Sequence, residues 1–218
     1  VKLILVNMSK SHATQSWASL PLVAISILTI FQIPAQAQLF NSPIDRLPVQ
    51  TRVDLRDGKV VIDGENGKYV AKILVTAPTT VVWSVLTDFQ NFPKFLPNVV
   101  SSQIIATKGD SQIVEQIDSR QVLFVNKRSR VRTENILAEN QRIDFNLIDG
   151  DLEQLQGYWL LEAVATYSGA KPTQILITQN ITARPKSGIP KGLFNQIFKD
   201  SIRENLMAIG KEVERRSQ

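Results

Sequence analysis

A single histidine, no cysteine and a scatter of acids set the chemistry that this chain can attempt. The cysteine count is zero across 218 residues, so disulfides, thiolate metal sites and thiol nucleophiles are excluded. The histidine, His12, lies ahead of a long apolar run. A chain beginning after that run has none, which removes the Ser-His-Asp triad, histidine-ligated zinc and the commonest general base. Proton transfer then falls to a carboxylate held away from water. Glu115 is the candidate, because it shares strand parity with Ile113 and Ile117 and points inward if those isoleucines are core. Burial would raise its pKa and fit it to act as an acid or base. A bulge in that strand would reverse the parity. Asp149, Asp151 and Glu153 form an acidic turn without the spaced ligands of a calcium site. There is no Gly-rich phosphate loop and no G-x-S-x-G or HExxH spacing. No cofactor and no metal are expected.

The other chemically informative residues are basic or aromatic. Arg128, Arg130 and Arg132 alternate and share one strand face. Three arginines inside an apolar cavity would be very costly, so a solvated outer face offset by Asp144 and similar acids is expected. The alternative is a patch for anionic lipid headgroups. Asp88 stands where a carboxylate caps the following turn. Phe89 is expected in the core, whereas Phe92 and Phe95 lie in a proline-broken segment suited to a lid. The formal charge is +5 with a pI near 9.5, and it falls to +3 without Lys2 and Lys10. With only one dense basic cluster, a nucleic-acid partner is not expected.

The N-terminal region explains that loss of charge. No charged residue occurs between Lys10 and Asp45, and residues 20–33 are mostly Leu, Ile, Val and Ala. A basic start, a short apolar core and Ala35-x-Ala37 describe a secretory signal peptide, with cleavage before Gln38. The rival is a retained anchor, although the run is short of the ~20 residues a spanning helix needs. The protein is therefore expected to be exported, whether periplasmic, lumenal or secreted, or membrane-anchored if residues 1–37 remain.

Residues 38–48, with two prolines and little periodicity, read as a linker before a domain covering 49–218. Strands are expected at 49–55, 60–62 and 69–75, with Asp57-Gly58 and Asn66-Gly67 as hairpin turns. Pro78 opens a helical stretch over 79–87. Strand patterns then recur at 99–107, 112–118, 122–133, 141–148, 155–162 and 174–183. Ile143, Phe145 and Leu147 share one face, as do Leu155, Trp159 and Leu161. After Pro190, Phe194, Phe198, Ile202, Leu206, Ile209 and Val213 recur at steps of three or four, the stripe of a long amphipathic helix. One helix cannot cover both faces of so many antiparallel strands. The sheet must curl around it, and a curled sheet gripping a helix tends to enclose a cavity.

The run Trp83-Ser84-Val85-Leu86-Thr87-Asp88-Phe89-Gln90-Asn91-Phe92-Pro93-Lys94-Phe95-Leu96-Pro97-Asn98-Val99 resembles the signature of the polyketide cyclase/dehydrase and coenzyme Q-binding branch of the START-like superfamily. Ile143-Asp144-Phe145-Asn146-Leu147-Ile148-Asp149-Gly150-Asp151 with Gly157-Tyr158-Trp159, and the closing helix with Asn205-Leu206, extend the likeness over roughly residues 69–216. The resemblance implies an α+β helix-grip fold, a curved antiparallel sheet around a long C-terminal helix with a hydrophobic cavity. Phe92, Phe95, Leu96, Phe145, Trp159, Phe194, Phe198 and Ile202 are expected to line it. The expected function is binding a lipid, quinone or other isoprenoid for carriage or sequestration, with contact to a membrane surface. The alternative is a cyclase or dehydratase acting on a polyketide-like or aromatic substrate. A tethered accessory protein using the fold as an interaction surface is a third possibility. A fold with many functions licenses a cavity rather than a reaction.

Overall fold

A computed structural model describes residues 42–218 apart from 123, 124, 168 and 189, all within the unit Gln38–Gln218. The expected signal segment, residues 1–37, lies outside the described residues. From Ser42 onward the expected linker takes on structure. Pro43–Arg46 makes a 3-10 turn, and its Ile44 is only 1% exposed.

Residues 49–55 form a helix and not the expected strand: α1 spans Val49–Arg56. The Asp57-Gly58 pair is accordingly a helix stop. Gly58 adopts φ +74°, its N–H donates to the Leu55 carbonyl at 3.1 Å, and the Lys59 N–H reaches back to Asp54 at 2.9 Å. That is the Schellman arrangement, which a left-handed glycine permits. The apolar side chains misled because Val49 and Val53 face solvent and Leu55 alone is buried.

The sheet begins with β1 (Val61–Glu65) and β2 (Lys68–Thr76), joined at Asn66-Gly67. Both turn residues have positive φ, 54° and 79°, the type I′ geometry expected of Asn-Gly. Next comes α2 (Thr79–Leu86), a 3-10 turn at Phe89–Asn91 and the one-turn helix α3 (Phe92–Phe95). Six strands follow, β3 (Val99–Lys108), β4 (Ser111–Val122), β5 (Val125–Ala138), β6 (Arg142–Gly150), β7 (Leu152–Ala165) and β8 (Pro172–Pro185). The chain closes with α4 (Lys191–Ser217). All neighbouring strands are antiparallel, in the order β1-β2-β8-β7-β6-β5-β4-β3. Returning β8 beside β2 places the first hairpin and the long meander in one sheet.

Alternation along the strands splits the core into two. On the outer face Leu74, Val164 and Leu176 pack with Ile44 and Leu55, so the N-terminal turn and α1 cover the side that α4 cannot reach. On the inner face Tyr69, Ala71, Ile73, Val75, Ile175, Ile177 and Ile181 pack with Ile202, Leu206, Ile209 and Val213 of α4. Helix and sheet approach closely at Gly210, where a Cβ would lie 2.9 Å from Ile73 Cδ1. α4 rests chiefly on β2, with β1, α2 and α3 as its other main supports. The inner face of β4 to β7 is less completely covered. Gln116, Ser129, Thr133, Leu137, Leu147 and Trp159 point inward there and are only half-buried. Among the described residues no helix is long and apolar enough to cross a membrane.

Candidate functional site

The candidate site is the less covered half of the sheet's inner face, beside α4, and ion pairs join the end of α4 to the aromatic segment next to it. Asp88 makes no side-chain cap to the turn it precedes, contrary to the expected capping role. Its Oδ1 accepts from Asn91 Nδ2 at 2.7 Å and its Oδ2 from Arg216 Nη2 at 2.7 Å. Arg216 Nε also donates to Glu212 Oε1 at 2.7 Å, and Arg215 donates to both Glu212 oxygens. The Arg216 guanidinium carbon lies 5.8 Å from the centre of the Phe95 ring. The Arg215 and Arg216 guanidiniums outweigh burial and push the Glu212 carboxyl down to about 2. These contacts tie the last turns of α4 to the aromatic segment 89–95. Within it, Phe92 makes edge contacts with Phe89 at 5.3 Å and Phe95 at 5.7 Å.

The expected lining residues separate by depth. Leu96, Phe145 and Ile202 are buried in the main core. Phe92, Phe95, Trp159 and Phe198 are half-buried against that core. Phe194 stacks on Phe198 at 5.4 Å, and Phe198 leans on Tyr69 at 6.1 Å. The Tyr69 hydroxyl donates to the Asn195 carbonyl at 3.3 Å and seats the start of α4. Phe145 reaches across the floor because its neighbour is Gly157, where a Cβ would lie 2.9 Å from Phe145 Cζ and collide with the Asn180 carbonyl. Phe95 also borders a groove of about 410 Å³ between α3 and the outer side of α4.

Polar groups interrupt this apolar surface at a few inward positions. Gln116, Asp118 and Arg120 alternate along β4 on the parity of the buried Val114. Arg120 Nη2 donates to Glu204 Oε2 on α4 at 2.6 Å, and Asn98 Nδ2 donates to the same oxygen at 2.9 Å. This bridge establishes that the Asp118 face is the α4 side. Gln116 Nε2 donates to both Asp118 oxygens, at 3.0 and 3.2 Å. Loss of water nevertheless dominates, and the Asp118 carboxyl is raised to about 6. Ser102, cross-strand from Gln116, is 5% exposed and its Oγ has no hydrogen-bond partner among the described residues. Gln179 Oε1 and Asn205 Oδ1 are likewise buried without partners among the described residues. Buried polar atoms normally have partners, so these three invite water or a ligand's polar group.

Glu115 occupies the opposite face, which corrects the inward reading. Its Oε2 accepts from Arg132 Nη2 at 2.7 Å and Arg130 Nη1 at 3.0 Å. The hydrogen bonds from Arg132 and Arg130 hold its carboxyl below the usual range, the reverse of the rise expected for a buried acid. Ile113 and Ile117 misled because they lie on the outer face beside these arginines, half-exposed. The arginine stripe is thus outside, as its desolvation cost requires, but its acids differ from those expected. Arg130 pairs with Glu115 and Asp149, whereas Asp144 pairs with Arg142. Asp118, three positions along the same strand, is the inward acid that the isoleucine parity concealed.

A curled antiparallel sheet gripping a long C-terminal helix, with two short helices between its second and third strands, is the helix-grip fold of START-like proteins. Solved structures share it at low sequence identity. A START superfamily protein from Mycobacterium smegmatis is 17% identical, with 70% of this chain and 99% of that one covered and a TM-score of 0.57. A STAR-related lipid transfer protein from Xanthomonas axonopodis is 16% identical, with 71% and 91% covered and a TM-score of 0.55. The Zhui aromatase/cyclase from Streptomyces sp. R1128 is 19% identical, with 68% and 94% covered and a TM-score of 0.53. Comparison with curated proteins gave no match. Residues 75–209 match the model of the family described as polyketide cyclase / dehydrase and lipid transport. The chain belongs to that family.

Proposed function

We propose that this domain binds one hydrophobic or amphipathic small molecule, such as a lipid, quinone or other isoprenoid, beneath α4 and carries or sequesters it unchanged. The observation that carries the reading is the incompletely covered inner face. Trp159, Leu137 and Leu147 are half-buried there, Gln179 lies cross-strand from Trp159, and the buried side-chain oxygens of Ser102, Gln179 and Asn205 lack partners among the described residues. Burying on the order of 300 Å² of ligand apolar surface would contribute roughly 7 kcal/mol before ordering costs. Those costs leave affinity in about the micromolar range. Phe92 and Phe95 form the lid, and the Asp88–Arg216 pair holds it against α4. We further propose that residues 1–37 direct export and are removed before Gln38, and that loading and release occur at a membrane surface. N-terminal sequencing of protein from its native host tests the first point, and transfer of a fluorescent lipid between vesicles tests the second.

A cyclase or dehydratase is the second reading, favoured by one observation. Asp118 is an inward carboxyl raised to about 6, near the range in which a carboxyl serves as acid and base by turns. Extraction of the purified protein followed by mass spectrometry of the bound species separates the two. Carriage predicts one amphiphile recovered unchanged after long incubation. Conversion that stops in Asp118→Asn while the fold persists would establish the enzyme.

A further inference from the structure

Ser102 of β3 and Gln116 and Asp118 of β4 bring polar groups to the inner face. Asp118 is a carboxylate that accepts hydrogen bonds, and Gln116 is already committed to it. Ser102 brings a buried hydroxyl with no partner among the described residues to the position cross-strand from Gln116. A hydroxyl group can satisfy both at once, because it gives a hydrogen bond to a carboxylate and takes one from a serine. An anionic headgroup cannot, since it offers no donor and brings like charge to a half-buried acid. Arg120 favours the charged form of Asp118, but burial outweighs it. Arg120 is paired with Glu204 of α4 at 2.6 Å, and Lys127, cross-strand from Arg120, is exposed to solvent. Asp118's own cross-strand neighbours, Val99 and Ser129, carry no charge.

We propose that the ligand is an uncharged amphiphile whose hydroxyl is held by Asp118 and Ser102, and that carboxylate- or phosphate-headed lipids are rejected. The inference rests on the hydrophobic-ligand reading above and adds the headgroup class. Burial raises the Asp118 carboxyl, which supports the assignment because a second negative charge beside it would be poorly screened.

Displacement of the neutral dye N-phenyl-1-naphthylamine from the purified domain at pH 8 tests the proposal. Dodecan-1-ol, dodecanoate and dodecyl phosphate serve as competitors of equal chain length. Dodecan-1-ol is expected to displace the dye at a concentration at least tenfold below either anion. Asp118→Asn should bring dodecanoate to within about threefold of the alcohol, because the like charge is gone while the amide still accepts. Ser102→Ala should raise severalfold the concentration of dodecan-1-ol needed for displacement relative to that of dodecanoate. Equal displacement by alcohol and dodecanoate on the unaltered protein, or a ratio unmoved by Asp118→Asn, overturns the headgroup assignment alone. Failure of the dye and all three competitors to bind overturns the hydrophobic-ligand reading itself.

Discussion

Replacing Asp118 by Asn should stabilise the protein at neutral pH and have little such effect in acid. The carboxyl sits among Val99, Ser129 and Gln116 on the inner face, and burial raises it from 3.8 to about 6. A group whose pKa is higher folded than unfolded favours the folded state when protonated, and that contribution is lost as pH rises through the folded pKa. The native protein therefore carries its full penalty above about pH 6 and none below about pH 4. At ~1.4 kcal/mol per pH unit, the rise corresponds to about 3 kcal/mol, and partial exposure of the side chain reduces this to about 2 kcal/mol. Asparagine keeps an acceptor for Gln116 and carries no charge. Urea unfolding of both proteins between pH 4 and pH 8 measures the difference, from which all groups common to both cancel. The stability advantage of Asp118→Asn should grow by about 2 kcal/mol from pH 4 to pH 8. An advantage that stays constant across this range would show that Asp118 is solvated, and the desolvation argument would fail.

Four other outcomes follow from named contacts. Glu212→Gln should destabilise at pH 7 by about 1–2 kcal/mol after allowing for the exposure of Arg215. Because the Glu212 carboxyl is lowered to about 2, that loss should shrink as pH falls from 4.5 towards 2. Leu55→Ala should cost about 2–4 kcal/mol if α1 seals the outer core, and a cost under about 0.5 kcal/mol in urea unfolding would make α1 dispensable. The Phe92→Ala, Phe95→Ala double variant should weaken ligand binding at least fivefold, as read by dye titration. Leu206→Ala, at a fully buried position, should instead act on stability by about 2–5 kcal/mol; equal stability losses would place both phenylalanines in the core and remove the lid. Asp88→Ala and Arg216→Ala should each loosen segment 89–95, and a double-mutant cycle should return a coupling above about 0.5 kcal/mol.

The architecture was largely readable because period-two alternation and Asn-Gly chemistry are local signals. Residues 69–75 and 174–183 fall within β2 and β8, and the three-and-four spacing from Phe194 to Val213 lies on α4. Failures arose where a local signal has two physical meanings. Asp57-Gly58 suits a hairpin or a helix stop, and only the return of Lys59 to Asp54 decides between them. Ile113 and Ile117 suggested an inward face, but the outer arginines give those isoleucines aliphatic neighbours. Choosing the parity of Val114 instead would have turned Asp118 inward and Glu115 outward. The partnerships of Asp88 with Arg216 and Arg120 with Glu204 span 128 and 84 residues. No short-range pattern encodes such distances.

Native mass spectrometry of the domain purified from its own host, followed by extraction of whatever it holds, bears most directly on the claim that it binds a hydrophobic molecule without converting it. The expected result is a one-to-one non-covalent complex whose ligand is an uncharged, hydroxyl-bearing amphiphile, recovered with its mass unchanged after prolonged incubation. A chain that emerges empty and takes up no hydrophobic probe, or one that steadily transforms the extracted molecule, would contradict it.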